Sequence, residues 1–241
     1  MIDANFFDEC DRLAAAVLAP EKPKWPIYFT DLPADFPISK HVTAFATDGD
    51  IELRRHLKAS GRWFGAGAII AFVKENPRVK MLGTALHELA HVVDYTEVES
   101  DREPTQDEFH RYGAARDKHL VEFEAQAKVI MSGEHKLPLW FPAHGERFLR
   151  IALHFHHRAW QAGWEVGLPQ MHIAGADYEL SPAWRYMHAL GSERKQMETA
   201  TIAEITATDP PGEFIELFNR DLKAWLDDRA KREATAKETE Q

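Results

Sequence analysis

The sequence has little cysteine, no excess of basic charge and no long apolar run, and each shortage removes a class of proteins. A single cysteine, Cys10, among 241 residues excludes an intramolecular disulfide and a cysteine-based zinc ribbon. The net charge of −10, with histidine neutral, disfavours nonspecific nucleic-acid binding, which needs a basic face. No apolar run approaches the roughly 20 residues that a membrane-spanning helix requires.

The N-terminal stretch MIDANFFDECDRL is acidic and lacks the basic region of a secretory signal, so the cytoplasm is the predicted compartment. Hydrophobic residues make up 44% of the chain and charged residues 28%, which is ordinary for a globular protein that can bury a core. Histidine is the residue type in excess, with thirteen copies, several of them clustered.

The spacing of apolar residues predicts an α+β fold that is predominantly helical. Helices are predicted at 3–18, 51–60, 78–95, 117–133, 144–163, 180–190 and 212–228, and short strands at 27–30, 41–47 and 65–75. We predict one domain over residues 1–228, with a metal core at about 65–160, a charged insertion at about 97–118, and a polar, disordered tail at 229–241.

The helix predicted at 78–95 contains the pentapeptide HELAH (87–91). Residues four apart lie on one helix face with β-carbons about 5–6 Å apart, so His87 and His91 can both bind one zinc ion through bonds of roughly 2.0 Å. Glu88 lies about 100° round the helix, where it can reach a zinc-bound water rather than the metal. Zinc lowers the pKa of that water to about 7, and the glutamate can accept its proton during attack on a carbonyl.

The alternative is a polar helix edge without metal, because a motif this short also arises by chance. The neighbouring residues favour zinc: Leu89, Ala90, Val92 and Val93 are apolar, as suits a helix half buried against a sheet. Asp94 lies on the same face and could accept the outer N–H of a ligand histidine, or it could be a solvated residue near the helix end.

A catalytic zinc needs a third protein ligand and an open position for water. Three positions compete. Glu97, six residues after His91, stands where the metzincin pattern requires histidine or aspartate, so it is rejected. Glu124 lies on the helix predicted at 117–133, and His144 leads the helix predicted after it. Either side chain could complete the site.

The segments TALHELAHVVD and HGERF together resemble the SprT-like zincin metallopeptidases. In that family a separate His-Gly-x-x-Phe segment supplies the third zinc histidine, and the matching residues here are His144, Gly145 and Phe148. The resemblance implies zinc ligands at His87, His91 and His144, with Glu88 as the catalytic base. It also implies a zincin-like fold, with a small β-sheet packed on the HExxH helix.

The resemblance covers the metal core at about 65–160 and has two departures. The gap between His91 and His144 is longer than the family usually has, and the cysteine-rich zinc ribbon of many members is absent. A second segment, VEFEAQAKVIM, is similar to the Glu-Ala-Asn-x-Phe-Ala-type segment of ImmA/IrrE regulatory peptidases. That similarity implies Glu124 as the third ligand, but the phenylalanine expected in the pattern is Val129 here, so the His-Gly-x-x-Phe match is closer.

The predicted function is that of a hydrolase, a zinc-dependent metallopeptidase with Zn²⁺ as cofactor and a protein or peptide as substrate. The alternatives are an ImmA/IrrE-like regulatory protease that uses Glu124, and a non-catalytic acidic interaction protein. Candidates for stabilising the oxyanion are Arg147 and Tyr178, and Trp63 precedes a strand that could line a substrate cleft. His154, His156 and His157 are predicted to take core or surface positions rather than to bind metal.

Overall fold

The computed structural model describes residues 2, 4–21, 26–32, 44–47, 67–72, 78–95, 145–171 and 183–239. Its helices are α1 (Ala4–Leu18), α2 (Arg78–Tyr95), α3 (Glu146–Gln161), α4 (Ala183–Ala189), α5 (Gly191–Gln196), α6 (Ile202–Ala207) and α7 (Gly212–Thr239), and a 3-10 helix (Leu168–Met171) follows α3. Its strands are β1 (Ile27–Asp31), β2 (Ala44–Thr47) and β3 (Ala68–Phe72). The predicted α+β, predominantly helical class is confirmed for these residues. The helices predicted at 51–60 and 117–133 and the charged insertion at 97–118 lie outside them.

The three strands form one sheet in the order β1-β3-β2, in which β1 runs parallel to β3 and β2 runs antiparallel to it. Ile70 of β3 is paired with Phe29 on one side and with Ala46 on the other. All five residues of β3 are buried, as its continuous apolar run AIIAF requires of a central strand. Because β3 is central, the idea that it lines a substrate cleft as an edge strand is corrected. Among the described strands, the outer ones are β1 and β2.

Gly67, directly before β3, allows β1 and β3 to approach closely. Its φ is 151°, and a β-carbon there would lie 2.5 Å from the carbonyl oxygen of Pro26 and 2.7 Å from the ring of Tyr28. The amide of Ala68 donates to the same Pro26 oxygen at 2.9 Å. A side chain at position 67 would therefore push the two strands apart where their pairing begins.

Helix α2 lies in the centre of the molecule and contacts β2, β3, α3 and the 3-10 helix. Its apolar residues extend almost all the way round the helix, and those that are buried are Met81, Leu82, Ala85, Leu86, Leu89, Ala90, Val92 and Val93. A helix that is apolar on nearly every side is a core helix. The polar residues at positions 87 and 88 are therefore carried into the interior.

Helix α3 is amphipathic and ends at a glycine. Gly163 has a φ of 82°, and its amide donates to Trp160 O at 3.0 Å, while the amide of Trp164 donates to Ala159 O at 2.9 Å. These two bonds form a Schellman motif, in which a left-handed residue satisfies the last carbonyls of the helix. The chain then reverses and passes through residues 164–167 into the 3-10 helix.

Helix α7 continues to Thr239 and so includes residues 229–239 of the segment predicted to be a polar, disordered tail at 229–241. The segment has few apolar residues, which led to the prediction, but it is rich in alanine, lysine, arginine and glutamate, which are strong helix formers. Extension of an existing helix needs no new nucleation step, so packing of its first turns is sufficient. None of the helices in the described part of the chain has the length and apolar character needed to cross a bilayer.

Candidate metal centre

His87 and His91 point their Nε2 atoms at each other from adjacent turns of α2. The two Nε2 atoms are 3.1 Å apart, and the ring centroids are 4.7 Å apart at an interplanar angle of 79°. His87 is buried, and His91 is half-buried. The four-residue spacing thus brings one ring nitrogen from each histidine to a common point.

The 3-10 helix sets the protonation of His87. Nδ1 of His87 lies 2.6 Å from the backbone oxygen of Met171. A carbonyl oxygen only accepts, so Nδ1 carries the hydrogen and donates it. In the neutral ring Nε2 then has a free lone pair directed at His91. Zinc-binding histidines commonly make such a bond from the outer nitrogen, because it fixes tautomer and ring orientation.

The pair fits two corners of a zinc site. Two nitrogens that are each roughly 2.0–2.1 Å from a tetrahedral zinc ion are about 3.3 Å apart. The 3.1 Å separation of the His87 and His91 nitrogens is close to that value. In the metal-free protein the same geometry is satisfied if His91 donates one Nε2–H to His87. Zinc binding and the hydrogen bond from His91 both use the lone pair on Nε2 of His87, which is present because Nδ1 donates its hydrogen to Met171 O.

Phe148 packs against both imidazoles. Its ring is stacked on His91 with centroids 4.2 Å apart at 20°, and it meets His87 edge-to-face at 5.1 Å. Gly145 is buried and begins α3 in an extended conformation, with φ of −63° and ψ of 175°. Phe148 of the second motif therefore packs directly on the histidine pair. His144, the preceding residue, lies outside the described residues.

Glu88 is 8% exposed, although it is a carboxylic acid in a helix of apolar neighbours. Transfer of a carboxylate from water into a protein interior is costly, so a glutamate at a buried position is uncommon unless it has partners or a chemical role. It directly follows His87, as the proposed chemistry of a general base requires.

Asp94 is neither solvated nor bonded to the outer nitrogen of His87. Its side chain is 12% exposed, so it is not solvated, and its carboxylate pairs with Arg147 at 3.2 Å. The outer nitrogen of His87 is bonded to Met171 instead of to Asp94. Burial raises the pKa of Asp94 to about 6, against the opposing effect of the Arg147 charge. Arg147, a candidate for stabilising the oxyanion, is thus engaged in an ion pair between α2 and α3. Tyr178, the other candidate, and Trp63 lie outside the described residues.

The sequence pattern did not indicate two supporting contacts. Met171 acts through its backbone oxygen, which no side-chain pattern indicates. Nε2 of His156 donates to Val166 O at 3.0 Å and thereby fixes the segment that leads into the 3-10 helix. His154 is 1% exposed and bonds Glu193, so the predicted core or surface role holds for these two histidines.

Within the described ranges, no group of three or more metal-binding side chains comes together. The two candidates for the third ligand, His144 and Glu124, are both outside those ranges, as is the rejected Glu97. The described residues thus contain two histidine nitrogens directed at a common point, a buried carboxylate beside them and Gly145, which follows His144 in the sequence.

Comparisons of the chain with protein-family models, with curated proteins and with solved structures gave no match.

Proposed function

We propose that the protein is a zinc-dependent metallopeptidase of zincin type, similar to the SprT-like family. His87, His91 and His144 bind the zinc, and Glu88 is the general base. The observation that carries the proposal is the convergence of two Nε2 atoms at 3.1 Å, with the outer nitrogen of His87 fixed by a backbone carbonyl.

The contact of the second motif with the histidine pair supports His144 as the third ligand. Phe148 stacks on His91, and Gly145 is buried at the start of the same helix. His144 directly precedes Gly145 in the sequence. Glu124 lies outside the described residues. It remains the ligand of the alternative, an ImmA/IrrE-like regulatory protease.

A bound zinc ion would act as a Lewis acid and would lower the pKa of a coordinated water. The remaining steps belong to protein groups. Glu88 accepts a proton as the peptide carbonyl is attacked, and it passes that proton to the leaving amine. Met171 O keeps the proton of His87 on Nδ1, so its Nε2 stays available as a ligand.

The proposed substrate is a protein or peptide in an extended conformation. Strand β2 is antiparallel to β3, lies at the outside of the described sheet and contacts α2. An extended peptide can pair with such an outer strand through backbone hydrogen bonds, which would bring it alongside the histidine helix. The net charge of −10 does not favour nucleic acid as a partner, and the cytoplasm is the proposed compartment.

The first experiment combines metal analysis with a cleavage assay on a peptide library read by mass spectrometry. Wild-type protein should contain about one zinc per chain and cleave library peptides, as a single three-ligand catalytic site implies. Glu88→Gln should retain zinc and lose cleavage, because the amide cannot accept the proton. A protein without zinc, or cleavage that persists in Glu88→Gln, would overturn the proposal.

The second experiment decides the third ligand by zinc content. His144→Ala should lose zinc, and Glu124→Ala should retain it. His188→Ala is the matched control, because His188 is exposed on α4. The opposite result, with zinc lost only from Glu124→Ala, would favour the alternative, an ImmA/IrrE-like regulatory protease.

A further inference from the structure

One arginine joins the last turn of α2 to the first turn of α3. Nη1 of Arg147 donates to the backbone oxygen of Asp94 and, at 3.2 Å, to its Oδ1. The aspartate is largely buried, and the arginine side chain is 37% exposed. A single guanidinium nitrogen thus bonds both the main chain and the side chain of the same residue.

The position of the arginine is explained by α2 rather than by α3. A positive charge in the first turn of a helix is unfavourable to that helix, because the N-terminal end of the dipole is itself positive. The last carbonyls of α2, including that of Asp94, have no partner within their helix, and this end favours a cation. The charge of Arg147 is therefore unfavourable to α3, but it stabilises the C-terminal end of α2 by donating to the backbone oxygen of Asp94.

This contact lies next to the histidine pair on both helices. Asp94 is three residues after His91, and Arg147 directly precedes Phe148, whose ring is stacked on His91. Two consecutive residues of α3 therefore contact α2, one through an ion pair near the surface and one through a buried ring. Together they fix the first turn of α3 against the helix of the histidines.

We propose that Asp94 and Arg147 are positioning residues for zinc binding. Their ion pair fixes the start of α3, and with it Phe148, whose ring is stacked on the proposed ligand His91. This inference rests on the proposed function, because it needs zinc as the ligand. Neither Asp94 nor Arg147 contacts the metal or the substrate in this proposal.

The test measures zinc affinity by competition with a chelating dye, together with the melting temperature of the metal-free protein. Arg147→Met removes the charge and both hydrogen bonds and keeps an unbranched side chain. Asp94→Asn removes the charge at almost constant volume. Arg147→Lys keeps the charge and one donor group. The matched control is Arg220→Met, because Arg220 is also exposed and pairs with an aspartate, Asp221, at 3.0 Å.

Arg147→Met should lower the zinc affinity about 10- to 100-fold, as changes in the groups that orient metal ligands do, while the metal-free protein melts within a few degrees of wild type. Arg147→Lys should recover most of that affinity, and Arg220→Met should bind zinc as wild type does. If Arg147→Met fails to fold, Asp94→Asn is held to the same criterion. Wild-type affinity in the Arg147 and Asp94 variants, or an equal loss in Arg220→Met, would overturn this inference and leave the proposed function intact. A wild-type protein that binds no zinc would overturn the proposed function itself.

Discussion

A buried ion pair connects α3 to the C-terminal helices, and its disruption should strongly destabilise the protein. Nε of Arg150 lies 2.9 Å from Oε1 of Glu193, and Nη2 lies 3.0 Å from Oε2, which is a bidentate arrangement. The two side chains are 3% and 7% exposed. Arg150 also donates to the backbone oxygen and the hydroxyl of Thr208, at 2.6 and 2.8 Å, and His154 lies 2.7 Å from Glu193 Oε1. Every charge in the cluster therefore has a partner.

Glu193→Gln removes the negative charge and leaves that of Arg150 in the interior. Removal of one partner of a buried pair lowers the free energy of unfolding by about 3–5 kcal/mol. The two bonds from Arg150 to Thr208 persist, and glutamine keeps one acceptor, so we expect about 3 kcal/mol, the lower end of that range. For a chain of this length each kcal/mol corresponds to about 2–4 °C, so the melting temperature should fall by roughly 6–12 °C.

The assay is urea unfolding of the metal-free protein followed by circular dichroism, for Glu193→Gln, Arg150→Met and the double variant. The double variant should lose less stability than the sum of the two single variants, because no charge is left without its partner. Asp227→Asn serves as the control, since its pair with Lys223, at 3.2 Å, is exposed and should contribute less than about 1 kcal/mol. A loss below about 1 kcal/mol in Glu193→Gln, or strictly additive losses, would refute this account of the cluster.

Three further predictions concern the site and its surroundings. Phe148→Ala should lower the free energy of unfolding by about 3–5 kcal/mol, and Phe148→Leu by less. Both should weaken zinc binding in a dye-competition assay, because each removes the ring stacked on His91. Zinc at about 100 times its Kd should stabilise the protein by about 2.7 kcal/mol, seen by calorimetry as an increase in melting temperature that a chelator reverses. Burial lowers the pKa of His154 below its ordinary value of 6.5, so the unfolded chain binds a proton first as the pH falls. The stability of the metal-free protein should therefore decrease below about pH 6.5, less steeply in His154→Gln than in wild type or in the exposed-site control His188→Gln.

Much of the fold could be predicted because the apolar spacing is local. The helix predicted at 78–95 is observed at Arg78–Tyr95, and the helix predicted to end near Gly163 ends two residues before it. Helix α6 was missed although its capping box is visible in the sequence: Thr201 accepts from the amide of Glu204, and the Glu204 carboxylate bonds back to Thr201. The signal was present, but a helix of six residues has too few turns to give an apolar period.

For the site as well, local features could be predicted from the sequence and contacts between distant residues could not. The convergence of His87 and His91 follows from helical spacing alone, which a sequence contains. The bond to Met171 joins residues 84 positions apart, and the partner atom belongs to the backbone, so no residue type indicates it. The ion pair of Asp94 was not predicted, because its position on the helix face was known, whereas the cation supplied by α3 was not.

The elements that surround these residues argue against a polar helix edge without function. A solvated edge needs no support, yet three side chains of α2 are each contacted by a different group: His87 by the carbonyl of Met171, His91 by the ring of Phe148, and Asp94 by Arg147. Each of these contacts restricts its side chain to one orientation. Ordering a side chain in this way costs conformational entropy. Burial of the adjacent carboxylate adds a desolvation cost. A cluster that is expensive to bury and is fixed from several directions is what a preorganised metal and proton-transfer site requires, since its ligands must be in position before the ion binds.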